Sequence, residues 1–247
     1  MSRLDLTRAI AENLSGWHDV HLRALGHQTR YVDGVWSTPD VVPEIFFNAI
    51  AFDPTATAVA LTADLATASL VAVSDPWARL DLTEQGFGAA SEDAWMVRAP
   101  DDAPDAGLLD ELVIVGVTDP DALDAFERTA ELGFGIDVRP RGTWQAPGIL
   151  DDPDLSVWLG RVDGRPVSVS MSYVAAGVVG VYGVATVPEA RGRGYGARMT
   201  WQAVSADRSL PAVLQPSELA EPLYARLGFT HHHVSRHWHR SGGSDDD

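Results

Sequence analysis

Apolar residues recur at helical spacing from the start of the chain: Leu4, Leu6, Ile10, Leu14 and Trp17 predict a helix from Ser2 to about Leu25. The small pair Ser15-Gly16 interrupts the pattern, so the stretch is read as one helix broken there with a second after it. "EIFFNAIAF" reads as a strand, and "DPTATAVALTADLATA" as a helix opened by an aspartate cap and a proline in its first turn. "SLVAVS" is a short buried strand, a helix from about Pro76 to Gln85 ends at Gly86, and "DAWMVRAP" is a further strand. "APDDAPDAG" then mixes proline, glycine and acid without periodicity, the pattern of a linker.

After the linker the pattern restarts with a strand, "ELVIVGV", and a helix, "DPDALDAFERTAELGF", again headed by aspartate and proline. An irregular stretch reaches about Asp154. Three strands follow, "LSVWLGRV", "RPVSVSMSYVA" and "VVGVYGVATV", joined by Asp-Gly and Ala-Ala-Gly turns that suit hairpins. A helix to about Asp207, the strand "PAVLQPS", the helix "LAEPLYARLG" and the strand "FTHHHVSRHWHR" complete the chain. Hairpins first and helical crossovers later predict an α/β (α+β) fold with a mixed, mostly antiparallel sheet flanked by helices, preceded by a second, smaller α/β half. The expected organisation is an accessory α/β domain at 1–98, a linker at 99–110, a domain at 111–240 and a disordered acidic tail at 241–247.

Composition narrows the chemistry. The 247 residues carry a formal charge of −17, and all eighteen basic residues are arginine. Nucleic acid is not an expected partner, because backbone binding needs a basic surface. The absence of cysteine excludes disulfides, thiolate metal sites and a cysteine nucleophile. No apolar run of membrane-spanning length occurs and the N-terminus has no secretory pattern, so no membrane partner and a cytoplasmic location are expected. His231, His232, His233, His237 and His239 crowd the last strand, but neighbours on a strand face opposite sides and no metal is expected.

The densest chemistry lies at the junction "TVPEARGRGYGARMTWQAV". A strand running through a glycine-rich loop into a helix N-terminus forms an anion site, since loop amides and helix dipole point at the same place. Gly192, Gly194 and Gly196 permit the curl, Arg191 and Arg193 add charge, and a pyrophosphate is the natural guest. A plain turn is the alternative reading of the loop.

"VATVPEARGRGYGARM" resembles the acyl-CoA-binding motif of the GNAT superfamily of N-acetyltransferases, with Arg191, Gly194 and Gly196 as its core and Pro188 in the usual place before it. "LQPSELAEPLYARLGF" resembles the family's later motif, with Ser217 where asparagine is commoner, then Ala220, Tyr224 and Gly228-Phe229. The resemblance covers about Glu111 to Arg240. It implies acetyl-CoA as acyl donor and an unidentified amine as acceptor. The pantetheine arm would pair with Val184, Ala185 and Thr186 where the fourth strand splays from the fifth, and the pyrophosphate would rest on the amides of Arg191, Gly192, Arg193, Gly194, Tyr195 and Gly196. Valine is commoner where Thr186 stands. Tyr224 would protonate the departing thiolate, its alternative being a packing role on the helix face it shares with Leu219, Leu223 and Leu227. Ser217 would bond the pantetheine or cap the following helix. No general base is evident; Tyr182, Tyr173 and water are the candidates, and Glu189 is read as a cap or an arginine partner.

The first half ends "LTEQGFGAASEDAWMV", echoing the Gly-Phe and final strand of the second, but it has no arginine-glycine loop. It is read as a degenerate GNAT-like half, with an unrelated α/β extension as the alternative. Trp17, Trp36, Phe46, Phe47 and Asn48 are its candidates for a wall of the acceptor cleft, core packing being the other role open to them. A non-catalytic acyl-CoA-binding protein is the second functional reading.

Overall fold

The computed structural model describes residues 2–63, 65, 70–100 and 111–241. The expected linker lies outside the described residues from 101 to 110, and the expected tail from 242 to 247. The elements run in the order α1 (Arg3–Ala24), β1 (Arg30–Val32), β2 (Val35–Ser37), β3 (Ala49–Ala51), α2 (Ala58–Thr62), β4 (Val71–Asp75), β5 (Gly88–Arg98), β6 (Val113–Gly116), α3 (Pro120–Phe134), β7 (Leu155–Val162), β8 (Arg165–Ala175), β9 (Val178–Thr186), α4 (Tyr195–Val204), β10 (Ala212–Leu214), α5 (Glu221–Arg226) and β11 (Thr230–Arg240). They fall into two compact units, residues 1–95 with 231–247, and residues 96–230. The last strand, which chain order assigns to the second half, thus has its residues from His231 onward in the first unit.

The first unit carries the strand order β1-β2-β3-β4-β11, with β3 and β4 parallel and β11 antiparallel to β4 from Arg236↔Asp75 to Arg240↔Val71. Its α1 is one unbroken helix rather than two. A capping box opens it, Ser2 Oγ accepting from the Asp5 amide and Asp5 Oδ2 from the Ser2 amide. Ser15 folds its hydroxyl back onto the Ala11 carbonyl at 2.8 Å, and burial of Ile10, Ala11, Leu14 and Trp17 outweighs the weak helix propensity of Gly16. The helix expected from Pro76 to Gln85 is reduced to one short turn at Thr83–Gln85. The fully buried Asp75 explains this, because its carboxylate accepts from the amides of Trp77, Arg79 and Leu80 and winds the chain around itself. Gly86 ends the turn in the left-handed conformation, as its position implied.

The second unit holds the end of β5, then β10, β9, β8, β7 and β6 in that order across its sheet. Met96, Val97 and Arg98 pair antiparallel with β10, the 7-8-9 strands form a meander, and β9 and β10 run parallel. Both hairpin turns have two successive left-handed residues, Asp163-Gly164 and Ala176-Gly177. Helix α3 is capped by Asp119, which accepts from the Ala122 amide at 2.9 Å. It packs on the face of β9 that carries Ala185, whereas Ser170 on β8 bonds the Met199 carbonyl of α4. Since Ser170 and Val169 point to opposite faces and Val169 lies opposite Ala185, α3 and α4 cover opposite faces of this sheet. The fold is therefore α/β with a mixed, mostly antiparallel sheet flanked by helices.

Candidate active site

The site grows from a parting of two strands. β10 pairs with β9 only at Ala212↔Val179 and Val213↔Gly180, yet β9 continues to Thr186. On its other side β9 is bulged: Val169 faces Ala185 and Met171 faces Tyr182, so Gly183 and Val184 together oppose Ser170. Gly183 takes φ +59°, and a Cβ there would lie 2.9 Å from the Met171 methyl. The bulge bends β9 away from β10 and leaves the edge from Val184 to Thr186 along a cleft of about 630 Å³.

The other wall is the start of α4. Gly192 and Gly194 are left-handed (φ +78° and +86°), which lets the loop turn back on the strand, and space in front of Gly192 is open. The first bond of α4 runs from the Arg198 amide to the Gly194 carbonyl, so the amides of Tyr195, Gly196 and Ala197 have no acceptor within the helix. No side chain caps them. Gly192, Gly194, Gly196 and Ala197 all line the cleft, whose only charged lining residues among the described ones are Arg191 and Arg226. In a chain of charge −17 this wall is suited to an anion.

The two loop arginines do different work from each other. Arg191 donates from Nη2 to the Gly133 carbonyl at 2.7 Å and from Nε to the Thr186 carbonyl at 3.2 Å, tying the loop to the ends of α3 and β9. Its charge stays at the cleft while its donors hold the backbone. Arg193 leaves the cleft and lines a second cavity of about 450 Å³ with Arg165 and Glu189. Tyr195 has a buried ring, and its hydroxyl donates to Glu111 Oε1 at 2.5 Å, a bond that pushes its pKa up. Of the loop residues expected at the cofactor, Arg193 therefore points elsewhere and Tyr195 can offer only its amide.

Tyr224 lies on α5, almost fully buried, edge-on to Phe229 with ring centroids 6.0 Å apart, and it lines the cleft. Burial pushes its phenol up to about 12, partly opposed by a hydrogen bond with Thr200. Ser217 lines the cleft too, but it does not cap α5: its carbonyl accepts from the Ala220 and Glu221 amides and its exposed side chain makes no cap bond. Tyr182 and Tyr173 do not line the cleft; burial, with Tyr173 nearby, pushes the Tyr182 phenol up.

Three residues that sequence reasoning passed over shape this site. A Cβ on Gly133 would stand 2.7 Å from Ala185 Cβ and 3.1 Å from the Thr186 nitrogen, so glycine is what lets α3 touch β9 behind the cleft. Glu127 and Glu131, both buried on α3, organise the irregular stretch that follows. Glu127 accepts from the Gly142 and Trp144 amides and Glu131 from the Arg139 amide. An acidic residue every fourth position on a predicted helix was the only available signal, and it reads equally well as a solvated face.

In the first unit the proposed wall residues are core. Trp17, Trp36, Phe46 and Asn48 are buried, and Asn48 bonds both the Asp40 carbonyl and the Ala72 amide. Phe47 is sandwiched between His18 and His237, at 5.4 and 4.7 Å between ring centroids. His237 also meets Asp93 through Nε2 at 3.1 Å, and His232 meets Thr7 at 3.2 Å. Among the described residues no group of three or more His, Asp or Glu is gathered as a metal would require, and no helix is long and apolar enough to cross a membrane.

Residues 121–229 match the Acetyltransferase (GNAT) family. No curated protein matches the chain. Among solved structures, a GCN5-related N-acetyltransferase from Kribbella flavida superposes with a TM-score of 0.60 at 20% identity, over 93% of this chain and 96% of that one. A GNAT-family protein from Novosphingobium aromaticivorans gives 0.57 at 21% identity, over 90% and 97%. At such identities the likeness speaks for the fold, and the family match over the cleft-bearing segment speaks for acyltransferase chemistry. The parted strands and the glycine loop both lie inside the segment that matches the Acetyltransferase (GNAT) family, residues 121–229, and the chain shares the fold of solved GCN5-related N-acetyltransferases.

Proposed function

We propose that the protein is an N-acetyltransferase that moves the acetyl group of acetyl-CoA to a primary amine of a small molecule or protein by direct attack, in the cytoplasm. One observation supports the reading: residues of the β9 edge, of the uncapped start of α4 and Tyr224 line a single cleft whose charged residues, among the described residues, are both arginines. The backbone of Val184, Ala185 and Thr186 would hold the pantetheine arm as a neighbouring strand does, with Ser217 beside it, and the amides from Gly192 to Ala197 would take the diphosphate. Acetyl-CoA supplies the thioester carbon that the amine attacks.

Tyr224 acts as general acid. A phenol held near 12 keeps its proton throughout the physiological range, so it has one to give when the sulfur departs. Since a thiol's ordinary pKa is about 8.5, complete transfer to a free thiolate would run uphill; the phenol works by hydrogen-bonding the sulfur as its charge develops. Among the described residues none that lines the cleft is Asp, Glu or His, and we assign the amine's proton to water. The same feature keeps the non-catalytic acyl-CoA-binding reading in play.

Residues 1–98 are a degenerate GNAT-like half in this reading. Gly86-Phe87 before β5 and Gly228-Phe229 before β11 support it: both glycines are left-handed and both phenylalanines buried. The test is acetyl-CoA-dependent release of free thiol over a panel of primary amines, repeated with Tyr224→Phe. Turnover on at least one amine, reduced by about 10²- to 10⁴-fold in the variant with the KM for acetyl-CoA little changed, is the expected outcome. Tight coenzyme A binding without thiol release on any amine would favour the binding protein instead.

A further inference from the structure

A further cavity, of about 260 Å³, lies between α3 and the irregular stretch that follows it. Leu123, Asp124, Glu127, Arg141 and Gln145 are among its lining residues, and none of the described residues lines both this cavity and the cleft. Its wall is held in place from behind. The buried Glu127 and Glu131 accept from the Gly142 amide at 3.1 Å and from the Trp144 and Arg139 amides at 2.9 Å, and the Arg139 guanidinium lies 5.2 Å from the ring of the buried Trp144.

Two features of this cavity serve no contact within the protein. Gln145 is only 7% exposed, yet its Oε1 is buried without a donor. A leucine would fill the same place without leaving an acceptor unmet. The second feature is charge. Asp124 and Glu127 bring two negative charges against the single positive charge of Arg141, whose Nε meets Asp124 Oδ1 at 2.9 Å and whose Nη1 is shared with the exposed Asp121 at 3.9 Å. One negative charge is left uncompensated, beside a carboxylate that is itself buried.

We propose that this cavity binds a small primary amine in its ammonium form. An ammonium group has three donors and no acceptor, and it carries one positive charge. The cavity offers the converse set: Gln145 Oε1, the Asp124 oxygen that Arg141 leaves, and Glu127, each of whose oxygens accepts one amide and keeps capacity for a second bond. An anion would meet the uncompensated charge, and an alcohol brings a single donor and no charge. Two carboxylates and one amide fall short of the roughly six to eight oxygens that calcium takes. The volume lies below the roughly 300–1,000 Å³ of sites for drug-sized ligands, so the organic part is small. Nothing in this site depends on Tyr224 or on acetyl transfer. Its occupant is an acceptor amine or a separate effector, and the same ammonium chemistry serves both.

The full chain is labelled with nitrogen-15 tryptophan, and the Trp144 backbone amide, which Glu127 holds, is assigned by its absence in Trp144→Phe. The probes are 1-propylamine, 1,4-diaminobutane and, as an uncharged control, 1-propanol, titrated at about pH 7, where a primary amine is protonated. The Trp144 signal should shift saturably with at least one amine and not with propanol. Gln145→Leu removes an acceptor that has no donor, so the variant should fold, and it should weaken amine binding by about tenfold. Asp124→Asn should weaken it by a similar factor, and coenzyme A affinity should be unchanged in both variants. No saturable shift with either amine, or wild-type amine affinity in both variants, overturns the proposal. Thiol release then names the occupant. If the bound amine is the acceptor, Gln145→Leu raises the KM for that amine; if it is an effector, it changes turnover of a different amine, and Gln145→Leu abolishes the change. Either result supports the site, and absence of thiol release on every amine would count against the acetyltransferase reading while leaving the binding result standing.

Discussion

Gly133→Ala sets two physical effects against each other with opposite signs. Inside a helix, replacing glycine by alanine ordinarily stabilises by about 0.5–1 kcal/mol through the lost freedom of the unfolded chain. Here the new methyl would lie 2.7 Å from Ala185 Cβ, 3.1 Å from the Thr186 nitrogen and 3.3 Å from the Thr186 carbonyl carbon. Carbon contacts settle at roughly 3.5–4.0 Å, so α3 and β9 must part by about 1 Å. None of the three atoms is the far end of a flexible side chain, which places the strain near the upper end of the ~1–3 kcal/mol typical of overpacking. Strain wins, by about 2 kcal/mol, and for a chain of this size the melting temperature should fall by roughly 4–8 °C. The displaced strand is also the one whose edge faces the cleft, and the Gly133 carbonyl is the one Arg191 holds. Coenzyme A affinity, measured by calorimetry well below the melting temperature, should therefore weaken several-fold. A variant as stable as wild type, with unchanged affinity, would refute the argument that close approach at Gly133 shapes the site.

Gly194→Val puts a β-branched residue at φ +86° and should cost at least tenfold in coenzyme A affinity by calorimetry while the protein stays folded. Coenzyme A titrated into the chain should give one site per chain, because the first unit has no arginine-glycine loop; a stoichiometry of two contradicts this. Asp75→Ala strands the amides of Trp77, Arg79 and Leu80 and should lower stability by about 2–4 kcal/mol in urea unfolding. Burial holds His18 down to about 3, so between there and its ordinary 6.5 the unfolded chain binds the proton and the folded chain does not. Stability contributed by neutral His18 is thus full above pH 6.5 and should be lower by ~2 kcal/mol at pH 5. His18→Leu should flatten that slope, and an unchanged slope would exclude His18 as its source.

How much of this was legible depends on whether the determinant is local. The Asp163-Gly164 and Ala176-Gly177 turns and the glycine loop are written in adjacent residues, and each takes the left-handed backbone its glycine permits. Tyr224 could be picked out because a second motif framed it. Gly133 could not: a glycine near the end of a helix looks like a minor weakness until the strand that presses on it is known. Arg191 reads as a phosphate ligand in sequence because nothing local tells that two carbonyls, one of them 58 residues away in the chain, claim its donors. The helix expected after β4 failed for a kindred reason, since the apolar pattern of Trp77, Leu80 and Leu82 has helical spacing but the buried Asp75 carboxylate takes the amides first. Aromatic residues of the first unit, Trp17 and Trp36 among them, bear the same letters whether they line a cleft or fill a core.

The pairing of β4 with β11, and of β10 with the end of β5, fixes an order of events during synthesis. The sheet of the first unit lacks its β11 strand until residues 230–240 have left the ribosome, although its other elements emerge first. The second unit needs Met96–Arg98, made long before β10 appears, to be kept available as an edge. Both closures join residues more than a hundred positions apart, which slows folding and keeps unpaired edges exposed meanwhile. A fragment cut at the apparent boundary, residues 111–240, would carry β11 without β4 and β10 without its β5 partner, two open edges of the kind that recruit other chains. This fragment should thus aggregate when expressed alone, and the segment should remain well behaved only in the longer chain.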